Sequence, residues 1–201
     1  EFCTLYLNGL KSINEEQAKG LSKAENLELN GLTSITDQQA KSLSRVEGYL
    51  HLNGLTSITD QQAESLSKVG TLSLNGLISI TDEQAESLSK AEDLDLNGLT
   101  SITDQQAESL SKVGTLSLNG LTSITEAQAE SLSKVEGYLV LNGLTSITDE
   151  QAEILSKLEN SQLGLNGLTS ITDTQAESLS KVEYVWISKD LQPLIDKYKN
   201  Q

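Results

Sequence analysis

The chain has 201 residues, 29 of them acidic against 14 lysines and arginines, for a formal net charge of -15. Nucleic acids and anionic membranes both require a basic patch, so this composition argues against them and favours a partner that is neutral or basic. One cysteine, Cys3, allows no internal disulfide framework, and no apolar run approaches the roughly 20 residues that span a bilayer.

Glu1-Phe2 stands directly before the strand-like Thr4-Leu5-Tyr6-Leu7, without the basic and apolar regions of a secretory signal. This start reads as that of a cloned fragment whose signal and N-terminal cap were left out, with Glu1-Phe2 a vector remnant and Cys3 inert or disordered. From there Asn-Gly-Leu recurs at Asn8, Asn30, Asn53, Asn75, Asn97, Asn119, Asn142 and Asn166, at intervals of 22, 23, 22, 22, 22, 23 and 24 residues. The extra residues always fall just before a Leu-x-Leu, as in Val46-Glu47-Gly48-Tyr49-Leu50 and between Leu158 and Leu163, and therefore read as loop insertions. Residues 53–77 and 97–121 are identical, so the array grew by duplication of a two-repeat block. Units of this length bury a core only against their neighbours. The expectation is therefore one elongated domain over 1–201, with repeats starting near 5, 27, 50, 72, 94, 116, 139 and 163.

Within a unit, Leu27-Glu28-Leu29 alternates apolar with variable residues, the period of a short half-buried strand. Asn-Gly then ends the strand, both residues tolerating positive φ, and Leu32 and Ile35 turn back inward. Thr36-Asp37-Gln38-Gln39 has the spacing of a capping box, repeated at Thr59, Thr81, Thr103, Thr125, Thr148 and Thr172, with Asn14 in the first unit. An Asp or Glu follows each cap, where it meets the positive end of the helix dipole. Lys23, Arg45, Lys68, Lys90, Lys112, Lys134, Lys157 and Lys181 are expected to close the helices at the negative end. Ala40, Leu43 and Val46 form the buried face of a helix of about ten residues, marginal unless packed on the strand side. After the last unit, Val185-Trp186-Ile187 reads as a ninth strand. Asp190 to Lys199 reads as a helix with Leu191, Leu194, Ile195 and Tyr198 on one face, so that 184–201 cap the stack.

Stacked strands lie roughly 4.8 Å apart and packed helices roughly 8 to 10 Å, so the expected fold is an α/β horseshoe solenoid with a concave strand face and a convex helix face. Val-x-x-Leu-x-Leu followed by Asn-Gly-Leu-x-Ser-Ile and a Gln-Ala-x-x-Leu helix resembles the leucine-rich repeats of multi-repeat bacterial proteins, notably those of planctomycete type. The resemblance covers residues 3 to 187. It implies a ligand-binding or structural role, no chemistry and no cofactor, and a secreted or cell-surface location. One departure stands out: where the common leucine-rich repeat keeps a buried Asn, this chain has Leu10, Leu32, Leu55 and their equivalents. The Asn ladder is either replaced by packing or moved to the Asn two residues earlier.

Candidate chemistry is sparse. Ser65-Leu66-Ser67-Lys68 has the Ser-x-x-Lys spacing of penicillin-binding enzymes, but it recurs at Ser87, Ser109, Ser131 and Ser178 without their companion motifs, so it reads as scaffold. His51 is the only histidine, which excludes His-based triads and multi-histidine metal sites. Asp37, Asp60, Asp82, Asp104, Glu126, Asp149 and Asp173 already serve as helix starts and stand too far apart to share a calcium ion. Thr33, Thr56, Thr100, Thr122, Thr145 and Thr169, interrupted by Ile78, form a row beside Ser34 to Ser170 that resembles ice-binding arrays. The preferred reading is that they satisfy backbone groups in the strand-to-helix turn.

Diversity is concentrated in the outward strand positions. One column reads Tyr6, Glu28, His51, Ser73, Asp95, Ser117, Val140, Gly164, Trp186; its neighbour reads Thr4, Asn26, Tyr49, Thr71, Asp93, Thr115, Tyr138, Gln162. Aromatic anchors and carboxylates suit a protein or peptide ligand, which places the candidate binding residues at Tyr6, Glu28, Tyr49, His51, Asp93, Asp95, Tyr138, Val140 and Trp186, for a partner expected to be a protein or glycan. The expected function is non-catalytic recognition through the concave face, the alternative being a structural or spacer segment of a larger surface protein. No cofactor and no metal are expected.

Overall fold

The computed structural model describes residues 4–158 and 161–199; Glu1, Phe2, Cys3 and the inserted residues 159 and 160 lie outside them. The chain divides into two compact units, Glu1–Leu99 and Thr100–Gln201. The first contains β1 (Thr4–Tyr6), α1 (Glu15–Leu21), β2 (Asn26–Glu28), α2 (Asp37–Leu43), β3 (Tyr49–His51), α3 (Asp60–Leu66), β4 (Thr71–Ser73), α4 (Asp82–Leu88) and β5 (Asp93–Asp95). Its strands pair in parallel in chain order and join equivalent positions, Leu5 with Leu27, Leu50 with Leu72 and Leu72 with Leu94. The second unit contains α5 (Asp104–Leu110), β6 (Thr115–Ser117), α6 (Glu126–Leu132), β7 (Tyr138–Val140), α7 (Asp149–Leu155), β8 (Gln162–Gly164), α8 (Asp173–Leu179), β9 (Tyr184–Trp186) and α9 (Gln192–Lys199). Strands β6 to β9 are again parallel and in order.

The core is a set of leucine columns. Leu27, Leu29, Leu32, Ala40 and Leu43 are fully buried, as are their equivalents in the units that follow. Burying each leucine is worth about 1.5–3 kcal/mol, and that packing holds helices too short to persist alone. The helices are shorter than their charge pattern predicts, seven residues instead of about ten. After Leu43 the chain tightens: Arg45 N–H donates to Ser42 O at 3.3 Å and Val46 N–H to Leu43 O at 3.1 Å. Arg45 and the lysines therefore sit just past the C-cap serine, still close to the negative end of the dipole, while Val46 stays buried in the turn.

Capping boxes form at Asn14 and at every Thr named above. The box glutamine also works between repeats. Gln62 Oε1 accepts from Thr59 N–H at 3.1 Å, while its Nε2 donates to Ile35 O in the preceding repeat at 2.9 Å. Gln39, Gln84, Gln128, Gln151 and Gln175 make the same link to Ile13, Ile58, Ile102, Ile124 and Ile147. The helix-start aspartates join in too, Asp37 Oδ1 accepting from the Thr59 hydroxyl at 2.9 Å and Asp149 Oδ1 from that of Thr172 at 2.9 Å.

The Asn-Gly turns depart from expectation. Leu32 N–H donates to Leu29 O at 3.1 Å, closing a four-residue turn, but none of Gly9, Gly31, Gly54, Gly76, Gly98, Gly143 and Gly167 has a left-handed φ. Glycine is required by closeness instead of by dihedral. A Cβ on Gly54 would run into the carbonyl oxygens of Asn30 and Leu32, whereas one on Gly9 would meet nothing within 4 Å. The Asn ladder has moved two residues earlier. In the first unit Asn8 Oδ1 accepts from Asn30 N–H at 3.0 Å, Asn30 from Asn53 at 3.0 Å, Asn53 from Asn75 at 2.8 Å and Asn75 from Asn97 at 2.8 Å. In the second, Asn119 accepts from Asn142 at 2.8 Å and Asn142 from Asn166 at 2.9 Å.

The ninth strand starts one residue earlier than its sequence pattern indicates. The terminal helix starts two residues later, because Leu191 and Gln192 N–H both turn back to Ser188 O, at 3.0 and 3.1 Å. Pro193 then lies in the first helical turn, where its missing donor costs nothing. Helix α9 buries Ile195 and is tied to α8 by Lys197 Nζ, 3.3 Å from Asp173 Oδ1.

Two predictions follow from these contacts. Gly54→Ala should cost about 1–3 kcal/mol in denaturant unfolding, the usual range for overpacking, while Gly9→Ala stays within about 0.5 kcal/mol of the parent. Gln62→Glu preserves the cap acceptor and removes the inter-repeat donor. It should therefore cost about 1 kcal/mol, the loss of a hydrogen bond to a half-buried carbonyl, and an unchanged midpoint would refute the bridging role.

Candidate binding surface on the strand face

In each three-residue strand the central Leu or Val points into the core, leaving the first and third residues on the outer face. In the first unit the structure brings four of the expected residues together. The Tyr49 and His51 rings stack with centroids 4.6 Å apart, and His51 Nδ1 stands 3.6 Å from Glu28 Oε1. The other Glu28 oxygen accepts from Asn8 Nδ2 at 2.9 Å. Tyr6, 66% exposed, hydrogen-bonds the Tyr49 side chain, and that bond holds its phenol above the ordinary value.

Asp93 and Asp95 lie on β5, separated from this cluster by β4 with its small Thr71 and Ser73. Asp93 Oδ2 accepts from the Thr71 hydroxyl at 3.1 Å. Burial pushes the Asp95 carboxyl above its usual value, opposed by the His51 charge and the nearby Ser73 side chain and reinforced by Asp93. Ser73 is itself buried, donating to Asn53 Oδ1 and accepting from Asn75 Nδ2, both at 2.8 Å. These Asn–Ser contacts fix the floor between the His51 and Asp95 strands. Sequence reading missed them, because nothing in the pattern links the ladder asparagines to a strand serine.

The second unit presents a different face. Tyr138, Val140 and Trp186 are placed on it as expected, Tyr138 being 41% and Trp186 55% exposed. Tyr184, 53% exposed, was not in the expected set. Its signal was its register: it pairs with Gln162 and so continues the column that ended there. Trp186 Nε1 donates to Gln162 Oε1 at 3.2 Å.

On the helix side, the Ser-x-x-Lys segments are helix ends: Lys68, Lys90, Lys112, Lys134 and Lys181 N–H donate to the carbonyls of Ser65, Ser87, Ser109, Ser131 and Ser178. The Thr33-type and Ser34-type rows are exposed, and Thr169 donates to Thr145 O from both its N–H and its hydroxyl, at 3.2 and 3.3 Å. Two depressions in the second unit, of about 400 and 230 Å3, sit at helix-to-strand turns, with lining residues that include Lys112, Lys134, Glu136 and Lys157. Among the described residues no group of three His, Cys, Asp or Glu is placed to hold a metal ion.

No family model and no curated protein matches the sequence. Solved structures do. The chain is similar to the leucine-rich repeat-containing protein LegL7 from Legionella pneumophila, with 15% identity and a TM-score of 0.59 over 98% of this chain and 90% of that one. An internalin C2 from Listeria monocytogenes aligns with 17% identity and a TM-score of 0.47, over 87% of this chain and 92% of the other. The functional domain of InlJ from Listeria monocytogenes, which includes a cysteine ladder, aligns with 17% identity and a TM-score of 0.47, over 89% of this chain and 37% of the other. The LegL7 likeness establishes the fold as an α/β leucine-rich-repeat solenoid.

The raised Asp95 carboxyl gives a signed prediction. A carboxyl that is harder to ionise in the folded state than in the unfolded one costs stability above its raised pKa. That cost is relieved as pH falls from there to the ordinary carboxylate value. Asp95→Asn should therefore raise stability at neutral pH by a few tenths of a kcal/mol, after discounting for solvent screening, and the advantage should vanish below the ordinary carboxylate range. Paired unfolding curves of parent and variant across pH test it.

Proposed function

We propose that this chain is a non-catalytic recognition module, its residues 1–201 serving as one repeat domain that binds a neutral or basic protein or glycan through the outer strand face. One observation carries the reading: frame positions repeat almost unchanged, while variation gathers at the outward strand positions. In the first unit Tyr6, Glu28, Tyr49, His51, Asp93 and Asp95 offer carboxylates beside stacked rings, a combination suited to basic groups. In the second, Tyr138 and Trp186 offer large exposed apolar surface beside the half-buried Val140, the kind of anchor that dominates interfaces. A secreted or cell-surface setting agrees with such a role.

The identity of residues 53–77 with 97–121 favours a second reading, a spacer whose faces drift without selection. A pull-down from native lysate separates the two, using the parent chain and a variant with Tyr49, Asp93, Asp95 and Tyr138 all changed to alanine. The recognition reading expects a partner recovered by the parent and lost, or reduced at least tenfold, with the variant. Equal recovery supports the spacer.

A further inference from the structure

An asparagine followed by glycine carries a latent reaction. With no Cβ beside it, the glycine main-chain nitrogen can approach and attack the asparagine side-chain carbonyl carbon. The attack needs the turn to give: the side chain must leave its bonds and swing over its own peptide, and the glycine must rotate to present its nitrogen. Most of the Asn-Gly turns in this chain are locked against that movement. A Cβ on Gly31 would run into the carbonyl oxygens of Asn8 and Leu10, and Gly54, Gly76, Gly98, Gly143 and Gly167 are pressed in the same way against the Asn and Leu carbonyls of the preceding repeat. Around Gly9 nothing lies within 4 Å. The asparagines differ as well. Asn8 is exposed, whereas Asn30, Asn53, Asn75, Asn97 and Asn142 are half-buried. Asn166 is exposed too, but its Gly167 is pinned by the Asn142 and Leu144 carbonyls. Of these seven pairs, exposure and an unpinned glycine coincide at Asn8-Gly9 alone.

We propose that Asn8-Gly9 is a site of spontaneous covalent modification, converting to aspartate and isoaspartate while the pinned pairs are protected by the stack. The Gly9 nitrogen gives up its proton and bonds to Asn8 Cγ, and the Cγ–Nδ2 bond breaks. Nδ2 leaves as ammonia, which closes a succinimide ring. Water then opens the ring: attack at Cγ gives aspartate, and attack at the main-chain carbonyl carbon gives isoaspartate, in which the chain runs through the side chain. Two bonds slow the start. Asn8 Oδ1 accepts from Asn30 N–H at 3.0 Å and Asn8 Nδ2 donates to Glu28 Oε2 at 2.9 Å, both at the exposed edge of the repeat, where water replaces either one. The product then alters the strand face of the first unit. A carboxylate at position 8 puts an acceptor where the amide donated, against the Glu28 oxygen, so two like charges meet beside the contact of Glu28 with His51. Isoaspartate further lengthens the main chain inside the turn that Leu10 N–H closes on Leu7 O at 3.1 Å.

The whole chain, kept folded in mildly alkaline buffer and sampled over weeks, provides the test. Trypsin releases each Asn-Gly pair in a different peptide, Asn8 in residues 1–11, so mass spectrometry follows every conversion separately, and an isoaspartyl methyltransferase labels the isoaspartate. Asn8 should convert at least tenfold faster than Asn30, Asn53, Asn75, Asn97, Asn142 and Asn166, and Gly9→Ala should slow it at least tenfold. The same chain in denaturant should convert all of them at similar rates, which assigns the difference to the fold. Asn166 or a half-buried pair converting as fast as Asn8 in the folded chain overturns the proposal. So does a folded Asn8 no faster than the pinned pairs while the unfolded chain reacts throughout, and so does a spread of rates in denaturant that matches the folded one. Asn8→Asp isolates the charge. Its unfolding midpoint should lie below that of the parent at neutral pH and rejoin it once the carboxyls are protonated, and equal midpoints at both overturn the assigned conflict with Glu28.

Discussion

Everything in this molecule depends on the satisfaction of each repeat's turn by the next repeat's glutamine. Helices of seven residues have too few internal bonds to hold themselves, and the Ile carbonyl at the corner is turned away from its own helix. A side chain that accepts inside its own cap and donates across to the neighbour's corner couples the two problems. Glutamate would complete the cap equally well, as capping boxes generally show, but it has no hydrogen to give. The Asn ladder and the Asp–Thr bonds repeat the same arrangement on other edges of the stack. Leucine burial supplies most of the stabilising free energy, while these polar links fix the register in which that burial occurs.

Much of the frame was legible because it is periodic. The Leu-x-Leu strands, the capping boxes and the buried Ala-Leu-Val faces all follow from spacing within one repeat, and all are present. Contacts between repeats were harder to read. The positive-φ explanation for Asn-Gly was reasonable from local preference, yet Gly54 is small because of the Asn30 and Leu32 carbonyls, which only the stacked structure brings near. The overlong helices have a similar origin: lysine is a good C-terminal signal, but here it follows a serine cap and an i−3 turn that the charge pattern does not disclose. The ladder question had two answers in sequence, and the bond from Asn53 N–H to Asn30 Oδ1 selects one.

The strand face was legible as a place and much less so as a set of partners. Alternation identifies which residues point outward. It does not reveal that Tyr49 stacks on His51, that Ser73 is drawn into the asparagine ladder, or that Tyr184 belongs to the face at all. Those depend on which side chains fill the space over the neighbouring strand. The outcome is two chemically distinct surfaces on one frame: carboxylates and an imidazole in the first unit, uncharged rings and an amide in the second.

The bonds of the frame join the same pair of repeat positions at each junction, Asn to Asn, glutamine to the Ile carbonyl and Thr hydroxyl to Asp. Removing or adding one whole repeat therefore recreates the same bonds between new neighbours, whereas a change of half a repeat would leave glutamines facing leucines and asparagines facing helix. Copy number is thus a nearly neutral variable for this architecture, open to unequal recombination between identical blocks such as 53–77 and 97–121. Each such event would also shuffle which outward residues stand side by side, so that new combinations on the strand face arise from a frame that stays folded.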